Sequence, residues 1–342
     1  MKRYGNLYPQ VYDLKNIREA HVNARKGKMH YKEVIEVDGN PEYYFESIHN
    51  MLKNKTFRNS EYTIFHKFDS GKDREIYRLP YYPDRIIHHC IMQVIEPMWK
   101  KTLINDTFSS IKGRGIHKGV KRVKKALEDA GNTKYCLKFD IHKFYSSIDH
   151  NILKTIIRKK VKDKDLLWLL DNVIDSVPGI PIGNYLSQYF ANLYLSGFDH
   201  WTKEVLRVKY YFRYCDDIII LDGFKDILHK LLIRVSGYLF GLKLRLKHNY
   251  RIFPTSCGID FLGYVFFHDY TLVRRKIRDR CIKMLNKVNI EHIFKSIMSY
   301  FGWFIHCDSY NLRKSLMNMG IISRLNAYCK AEDLNNPLWR FV

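Results

Sequence analysis

Residues 212–221 read Phe212-Arg213-Tyr214-Cys215-Asp216-Asp217-Ile218-Ile219-Ile220-Leu221. Two adjacent carboxylates stand between two runs of strand-forming residues. Val208-Lys209-Tyr210-Tyr211-Phe212 has the composition of one strand. Ile218-Ile219-Ile220-Leu221 has that of a second, which ends at the turn dipeptide Asp222-Gly223. The pattern predicts a tight β-hairpin with Asp216 and Asp217 at its tip. In a regular strand, neighbouring side chains face opposite ways; at a tip, the turn can bring both to one place. There they are either solvated turn chemistry or part of a cation site. Mg²⁺ is typically held by one or two carboxylates together with substrate phosphates.

The 342 residues are 46% hydrophobic, enough for a large core and more than one subdomain, which excludes a disordered chain. Lys and Arg number 58 against 35 Asp and Glu, a net charge of +23. That imbalance points to a polyanionic partner, nucleic acid ahead of an anionic membrane. The 25 Tyr, 20 Phe and 5 Trp, interleaved with basic residues, suit stacking on bases, though most must be core. Seven scattered cysteines without a Cys-x-x-Cys argue against a disulfide framework or a zinc ribbon and fit a reducing cytoplasm. The chain lacks an apolar run of about 18 residues, and Met1-Lys2-Arg3-Tyr4-Gly5 does not open a signal peptide, so neither membrane spanning nor export is expected.

Along the chain, residues 1–60 read as basic, aromatic and helical, with Pro41 opening a helix over residues 42–52. Tyr62–Phe68 and Arg74–Leu79 read as the arms of a hairpin turning at Asp69–Asp73, with Lys67 and Arg74 on its arms and Lys72 at its tip. Such cations can close over a triphosphate, or can simply be solvated. Pro83–Pro97 reads as a helix closing near Pro97; its adjacent His88 and His89 cannot share a helix face as a metal pair. After Gly113-Arg114-Gly115, a helix carries Lys118, Lys121, Arg122 and Lys125 at i, i+3, i+4 and i+7, either a phosphate-tracking stripe or a solvated face.

Tyr135–Ile141 reads as a strand ending in a third carboxylate, Asp140, which is a cap for the following helix or the third part of a metal site. Asp140 with Asp216 could bridge two metal ions, the arrangement that activates a 3′-hydroxyl and stabilises a leaving pyrophosphate. Pro178–Gln188 is a Gly/Pro loop opening a helix. Phe240–Lys247 alternates apolar and basic residues as a half-buried strand would, and Gly258–Phe266 suggests a hairpin region. Beyond Tyr270 the pattern turns helical. Lys276, Arg280, Lys283 and Lys287 lie on one face, with Ile277, Cys281, Leu285 and Val288 on another.

Taken in order, Phe139-Asp140-Ile141, the loop near Gly183, Tyr214-Cys215-Asp216-Asp217 and Phe261-Leu262-Gly263-Tyr264 resemble the motif series of a reverse transcriptase over residues 60–290. Most retroelement polymerases carry Gln-Gly-x-x-x-Ser-Pro where this chain has Ile182-Gly183-Asn184-Tyr185-Leu186-Ser187-Gln188. That version, with Gly115-Ile116-His117-Lys118-Gly119, is similar to reverse transcriptases of diversity-generating retroelements. The chain departs from them near Ile111, where they usually carry Arg; Lys112 or Arg114 would supply that charge.

The resemblance implies an α+β right-hand polymerase. Residues 1–134 would form an N-terminal helical extension and fingers. Residues 135–268 would form the palm, an antiparallel sheet plus helices, with 150–180 contributing to the fingers, and 269–342 a helical thumb. It implies two Mg²⁺ held by Asp140, Asp216 and Asp217 with the Ile141 carbonyl, and Tyr145 as a steric gate. Lys67 and Arg74 would take the triphosphate, Lys247 or Lys243 the leaving pyrophosphate. Ile182, Gly183 and Gln188 would lie at the templating base and incoming nucleotide, and the basic stripes on the RNA/cDNA duplex.

The implied function is error-prone copying of a template-repeat RNA from dNTPs, with adenine mutagenesis and mutagenic retrohoming into a variable gene. The implied setting is the cytoplasm of a bacterium or archaeon, or a phage genome, with a small basic oligomeric accessory variability protein as partner and no membrane. Two alternatives stay open: a retron-like or phage-defence reverse transcriptase, and a non-catalytic RNA-binding scaffold on the same fold.

Overall fold

The computed structural model describes residues 3–69, 71–285, 290–316 and Lys330. Four helices open it: α1 (Tyr8–Val11), α2 (Leu14–Ala24), α3 (Lys32–Gly39) and α4 (Pro41–Lys53). Asp13 caps α2 by accepting from the Lys15 and Asn16 amides. Pro41 sits in the first turn of α4, where its missing N–H loses no helix bond. Phe45, Ile48 and Leu52, three and four apart, turn inward. The hairpin follows as β1 (Thr63–Asp69) and β2 (Lys72–Arg78), then α5 (Ile86–Lys100) and α6 (Ile116–Leu127). Next come β3 (Tyr135–Asp140), α7 (His150–Arg158), α8 (Lys164–Ile174), α9 (Ser187–Tyr194) and α10 (Ser196–His200). The remainder is β4 (Tyr210–Tyr214), β5 (Asp217–Asp222), α11 (Lys225–Gly241), β6 (Arg251–Pro254), β7 (Ile259–Phe261), β8 (Tyr264–Phe266), β9 (Thr271–Val273), α12 (Arg275–Leu285), α13 (Ile290–Phe304) and α14 (Tyr310–Leu316).

Four expectations are corrected. The hairpin turn is tighter than expected, so β2 begins at Lys72 rather than Arg74. Helix α5 continues through Pro97 to Lys100, because Met98 and Trp99 are buried and anchor its last turn. Phe240–Lys247 is not a strand: α11 ends at Gly241 and is closed by the Leu244 amide donating to the Leu239 carbonyl and that of Lys243 to Phe240. Lys243 takes the left-handed position of this Schellman closure, at φ 57°. A helix's last turn and its cap alternate apolar and basic residues much as a short strand does. Beyond Tyr270, β9 precedes α12 and completes a sheet of order β7-β8-β9. Lys287 and Val288 lie outside the described residues.

The chain divides into two units, each assembled from three segments. The first comprises Met1–Gly113, Asp140–Val208 and Ile233–His248; the second comprises Arg114–Phe139, Lys209–Leu232 and Asn249–Val342. The first holds the N-terminal helices, the β1–β2 hairpin, α5 and α7–α10. The second holds a sheet of order β4-β5-β3-β6, its pairs β4–β5 and β3–β6 antiparallel. A separate apolar cluster there is built from Cys281, Leu285, Ile293, Ile297, Phe301 and Phe304 of α12 and α13.

Candidate functional site

In the second unit, β4 and β5 meet at a two-residue turn, Cys215-Asp216, with Tyr214 paired to Asp217. Asp216 is therefore at the tip, while Asp217 opens the second strand. The tip is smaller than expected because β4 runs two residues past Phe212. Cys215 has φ 58° at the first turn position, and Asp216 is not among the positive-φ residues. That is the sign pattern of a type II′ turn, a position normally given to glycine. Arg213, missed in the sequence reading, is 0% exposed and its Nη1 donates to the Cys215 carbonyl at 3.1 Å. This bond braces the turn backbone from inside the sheet. Both carboxylates are half-buried, and Lys138 Nζ lies 3.4 Å from Asp217 Oδ1 while also donating to the Asp260 carbonyl.

Asp140 is the last residue of β3, the strand beside β5 in the sheet order. Residues 245–247 run antiparallel to 140–142: the His142 amide donates to the Arg245 carbonyl, Ile141 bridges Leu246, and the Lys247 amide donates to the Asp140 carbonyl at 2.9 Å. This register brings Lys247 Nζ to 3.4 Å from Asp140 Oδ2. Lys243, the other candidate, is instead 2.5 Å from Asp149. That hydrogen bond, with the Ile152 amide, holds the Asp149 carboxyl below its usual range. Of the two lysines, Lys247 is the one beside Asp140.

The loop from Gly179 to Gln188 is bonded on two sides within the first unit. The Ile180 amide donates to the carbonyl of Tyr145 at 2.9 Å, and the Tyr77 amide of β2 donates to the carbonyl of Ile182 at 2.8 Å. Gly183 is required at this junction. Its φ is 114°, and a Cβ would sit 2.6 Å from the Tyr77 carbonyl oxygen. Ser187 Oγ donates to the Pro181 carbonyl, and Ser110 Oγ to Gln188 Oε1. Ile182 and Gln188 remain exposed. Tyr185 stacks on His89, centroids 4.0 Å apart. Burial pushes His88 down to about 3 and His89 to about 4, which favours the neutral form of both imidazoles.

On the hairpin, Lys67 and Arg74 are direct cross-strand partners, both exposed. Like charges directly opposite one another destabilise a strand pair, and among the described residues neither has an ion pair. An anion seated between them removes that repulsion. In the second unit, Lys118, Lys121, Arg122 and Lys125 are exposed on α6 opposite its buried Val120, Val123 and Leu127. Lys276, Arg280 and Lys283 are exposed on α12, and Lys287 is not described.

Asp140 and the Ile141 carbonyl in the first unit, and Asp216 and Asp217 in the second, offer oxygen donors alone, a chemistry that suits hard cations such as Mg²⁺ better than zinc. Among the described residues no three His, Cys, Asp or Glu side chains converge as a ready cage.

Residues 65–266, more than half of the chain, match the family described as reverse transcriptase (RNA-dependent DNA polymerase). Protein YkfC of Escherichia coli (strain K12) is 23% identical over 256 residues, covering 61% of this chain and 65% of that protein. The structure of apo telomerase from Candida tropicalis has a TM-score of 0.52 at 12% identity, covering 83% of this chain and 61% of that one. The chain thus spans a little under two thirds of each relative's length. The structural likeness is one of fold, an α+β right-hand polymerase. Among the described residues no helix is long and apolar enough to cross a membrane.

Proposed function

The chain belongs to the reverse transcriptase (RNA-dependent DNA polymerase) family, and from that premise we propose that it copies a template-repeat RNA into adenine-mutagenised cDNA for a diversity-generating retroelement. The observation that carries the finer assignment is Ile182-Gly183-Asn184-Tyr185-Leu186-Ser187-Gln188, with Ile182 and Gln188 exposed on a loop bonded to the cation-bearing hairpin. In this reading residues 1–134 are the N-terminal extension and fingers, 135–268 the palm and 269–342 the thumb. The partners are the RNA and RNA/cDNA duplex, dNTPs and a small basic accessory protein, in a bacterial, archaeal or phage-infected cytoplasm.

Chemically, the primer 3′-oxygen forms a bond to the α-phosphorus as the bond to pyrophosphate breaks. Asp140, Asp216 and Asp217, with the Ile141 carbonyl, would hold two Mg²⁺. When bound, such ions favour the ionised 3′-hydroxyl and offset charge on the leaving group. The motif order in the sequence, Phe139-Asp140-Ile141 followed by Tyr214-Cys215-Asp216-Asp217, supports a shared role for the three aspartates. Arg213 holds the turn that presents Asp216. Lys67 and Arg74 grip the β- and γ-phosphates. Lys247 neutralises or protonates the pyrophosphate. The ring of Tyr145, its carbonyl fixed by Ile180, excludes a ribose 2′-hydroxyl. Ile182, Gly183 and Gln188 border the nascent base pair, and the basic faces of α6 and α12 track the duplex backbone.

Primer extension on RNA with Mg²⁺ and dNTPs, with and without any small basic protein encoded beside the gene, tests this. Expected are cDNA with errors concentrated at template adenines and none with Asp216→Ala. Faithful cDNA would overturn the diversity-generating assignment, and absence of cDNA with retained RNA binding would overturn the polymerase assignment.

A further inference from the structure

Tyr62, immediately before β1, is the centre of a polar network beneath the Ile182–Gln188 loop. Its hydroxyl oxygen accepts from Asn184 Nδ2 at 3.2 Å and from Asn59 Nδ2 at 3.4 Å. Ser176 Oγ, 2.9 Å away, gives its own proton to the Val173 carbonyl. The Tyr62 proton therefore goes to Ser176, and all three hydrogen-bonding positions of the phenol are used. Asn184 lies inside the loop and is 8% exposed. The Tyr62 ring meets the Tyr77 ring edge-on at 5.7 Å, and Tyr77 makes the backbone bond to Ile182. Two tyrosines at the base of the hairpin thus hold the loop at two successive points.

The rest of the network is loosely satisfied. Asn59 Oδ1 and Asp84 Oδ2 are buried and without a hydrogen-bond partner among the described residues. Buried polar atoms left unpaired are costly. The Asn184 amide is held at its nitrogen by the Tyr62 hydroxyl at 3.2 Å, and it also interacts with the buried His88 imidazole. The phenol hydroxyl is thus one of two polar restraints on this side chain.

We propose that Tyr62 is a positioning residue for base-pair discrimination: through Asn184 it sets the loop, and through Tyr77 it ties the loop to the hairpin bearing Lys67 and Arg74. Grip on the triphosphate and inspection of the base pair are thereby mechanically joined. The proposal rests on the reading of this loop as the border of the nascent pair.

The test is single-nucleotide insertion opposite template adenine by the full chain, comparing kcat/KM for dATP with that for dTTP. Tyr62→Phe keeps the ring and removes one hydroxyl; it should raise the wrong-to-right ratio about 3- to 10-fold, the equivalent of one hydrogen bond. Asn184→Ala approaches the same bond from the loop and should do likewise. The double variant should show no more than the larger single effect, because both remove one restraint. A purely structural role would lower Tm and both rates together, leaving the ratio unmoved, and would overturn the proposal. Additive single effects would also overturn it. Ile182→Gln, run in parallel, separates the two layers. A ratio that moves with Ile182→Gln but not with Tyr62→Phe sinks this inference and spares the loop reading; a ratio that moves with neither sinks both.

Discussion

Replacing Gly183 with alanine should disconnect the loop from the hairpin. At φ 114° a side chain is strained, by about 1–3 kcal/mol for such sparsely populated backbone. The new Cβ would also stand 2.6 Å from the Tyr77 carbonyl oxygen and 3.0 Å from an Ile76 methyl. Backbone cannot swing aside as a long side chain can, so the Tyr77–Ile182 bond at 2.8 Å is the contact that gives way. Its loss adds about 0.5–1.5 kcal/mol. The total of roughly 2–4 kcal/mol corresponds to a fall in Tm of about 3–6 °C for a chain of 342 residues, and the hairpin bearing Lys67 and Arg74 loses its register with Ile182. Thermal melts and dNTP titrations in primer extension are the assays, with KM for dNTP expected to rise more than kcat falls. Gly71→Ala is the control. It has φ 80° but open space around its Cβ, so it carries conformational strain without collision. If Gly183→Ala matches wild type, or merely matches Gly71→Ala, the steric argument is wrong.

Acidification should weaken the fold between pH 6.5 and 4. Burial holds His88 near 3 and His89 near 4, so over that window the unfolded chain binds protons that the folded chain refuses, and stability drops as pH falls. Melts at pH 7 and pH 5 that coincide would contradict this. The Asp129 carboxyl, held down to about 2 chiefly by the Tyr210 hydroxyl and then by Lys209, should stay ionised until well below its ordinary range; Tyr210→Phe should raise its NMR titration midpoint, and an unmoved midpoint would refute the assignment. On α6, Lys121→Ala and Arg122→Ala should each flatten the salt dependence of RNA binding by a little under one unit of slope, about 0.7–0.9, if each contacts a phosphate. Tyr145→Ala should admit ribonucleotides in extension assays, whereas retained sugar selectivity would remove it as the gate.

The carboxylate hairpin was legible because its signal is local: β-branched and aromatic runs bracketing a turn. The basic stripe on α6 was equally plain, since helical spacing puts its four cations on one face. Other features depend on the folded geometry. Arg213 in an aromatic strand reads as an interruption; only the fold shows its guanidinium reaching back to the Cys215 carbonyl. Lys243 and Lys247 are indistinguishable in sequence, and what separates them is that one reaches Asp149 while the other follows the pairing of residues 245–247 with 140–142. Tyr62 and Asn184 are 122 positions apart, and nothing near either marks their contact. Pro97 read as a stop because local propensity was weighed without the burial of Trp99, which outweighs it.

The interleaving of the two units also constrains how the protein is made. The chain passes between units at residues 113/114, 139/140, 208/209, 232/233 and 248/249. During synthesis the first unit cannot close until His248 has left the ribosome, since Lys247 and its neighbours supply the segment that lies along Asp140. The partly exposed first unit must therefore persist while two segments of the second are still being added, an exposure that favours chaperone capture and aggregation. No single cut in the chain separates the units, so neither can be exchanged or lost as a contiguous cassette. Recombination between relatives that respects this fold must join segments in compatible sets, not swap a front half for a back half.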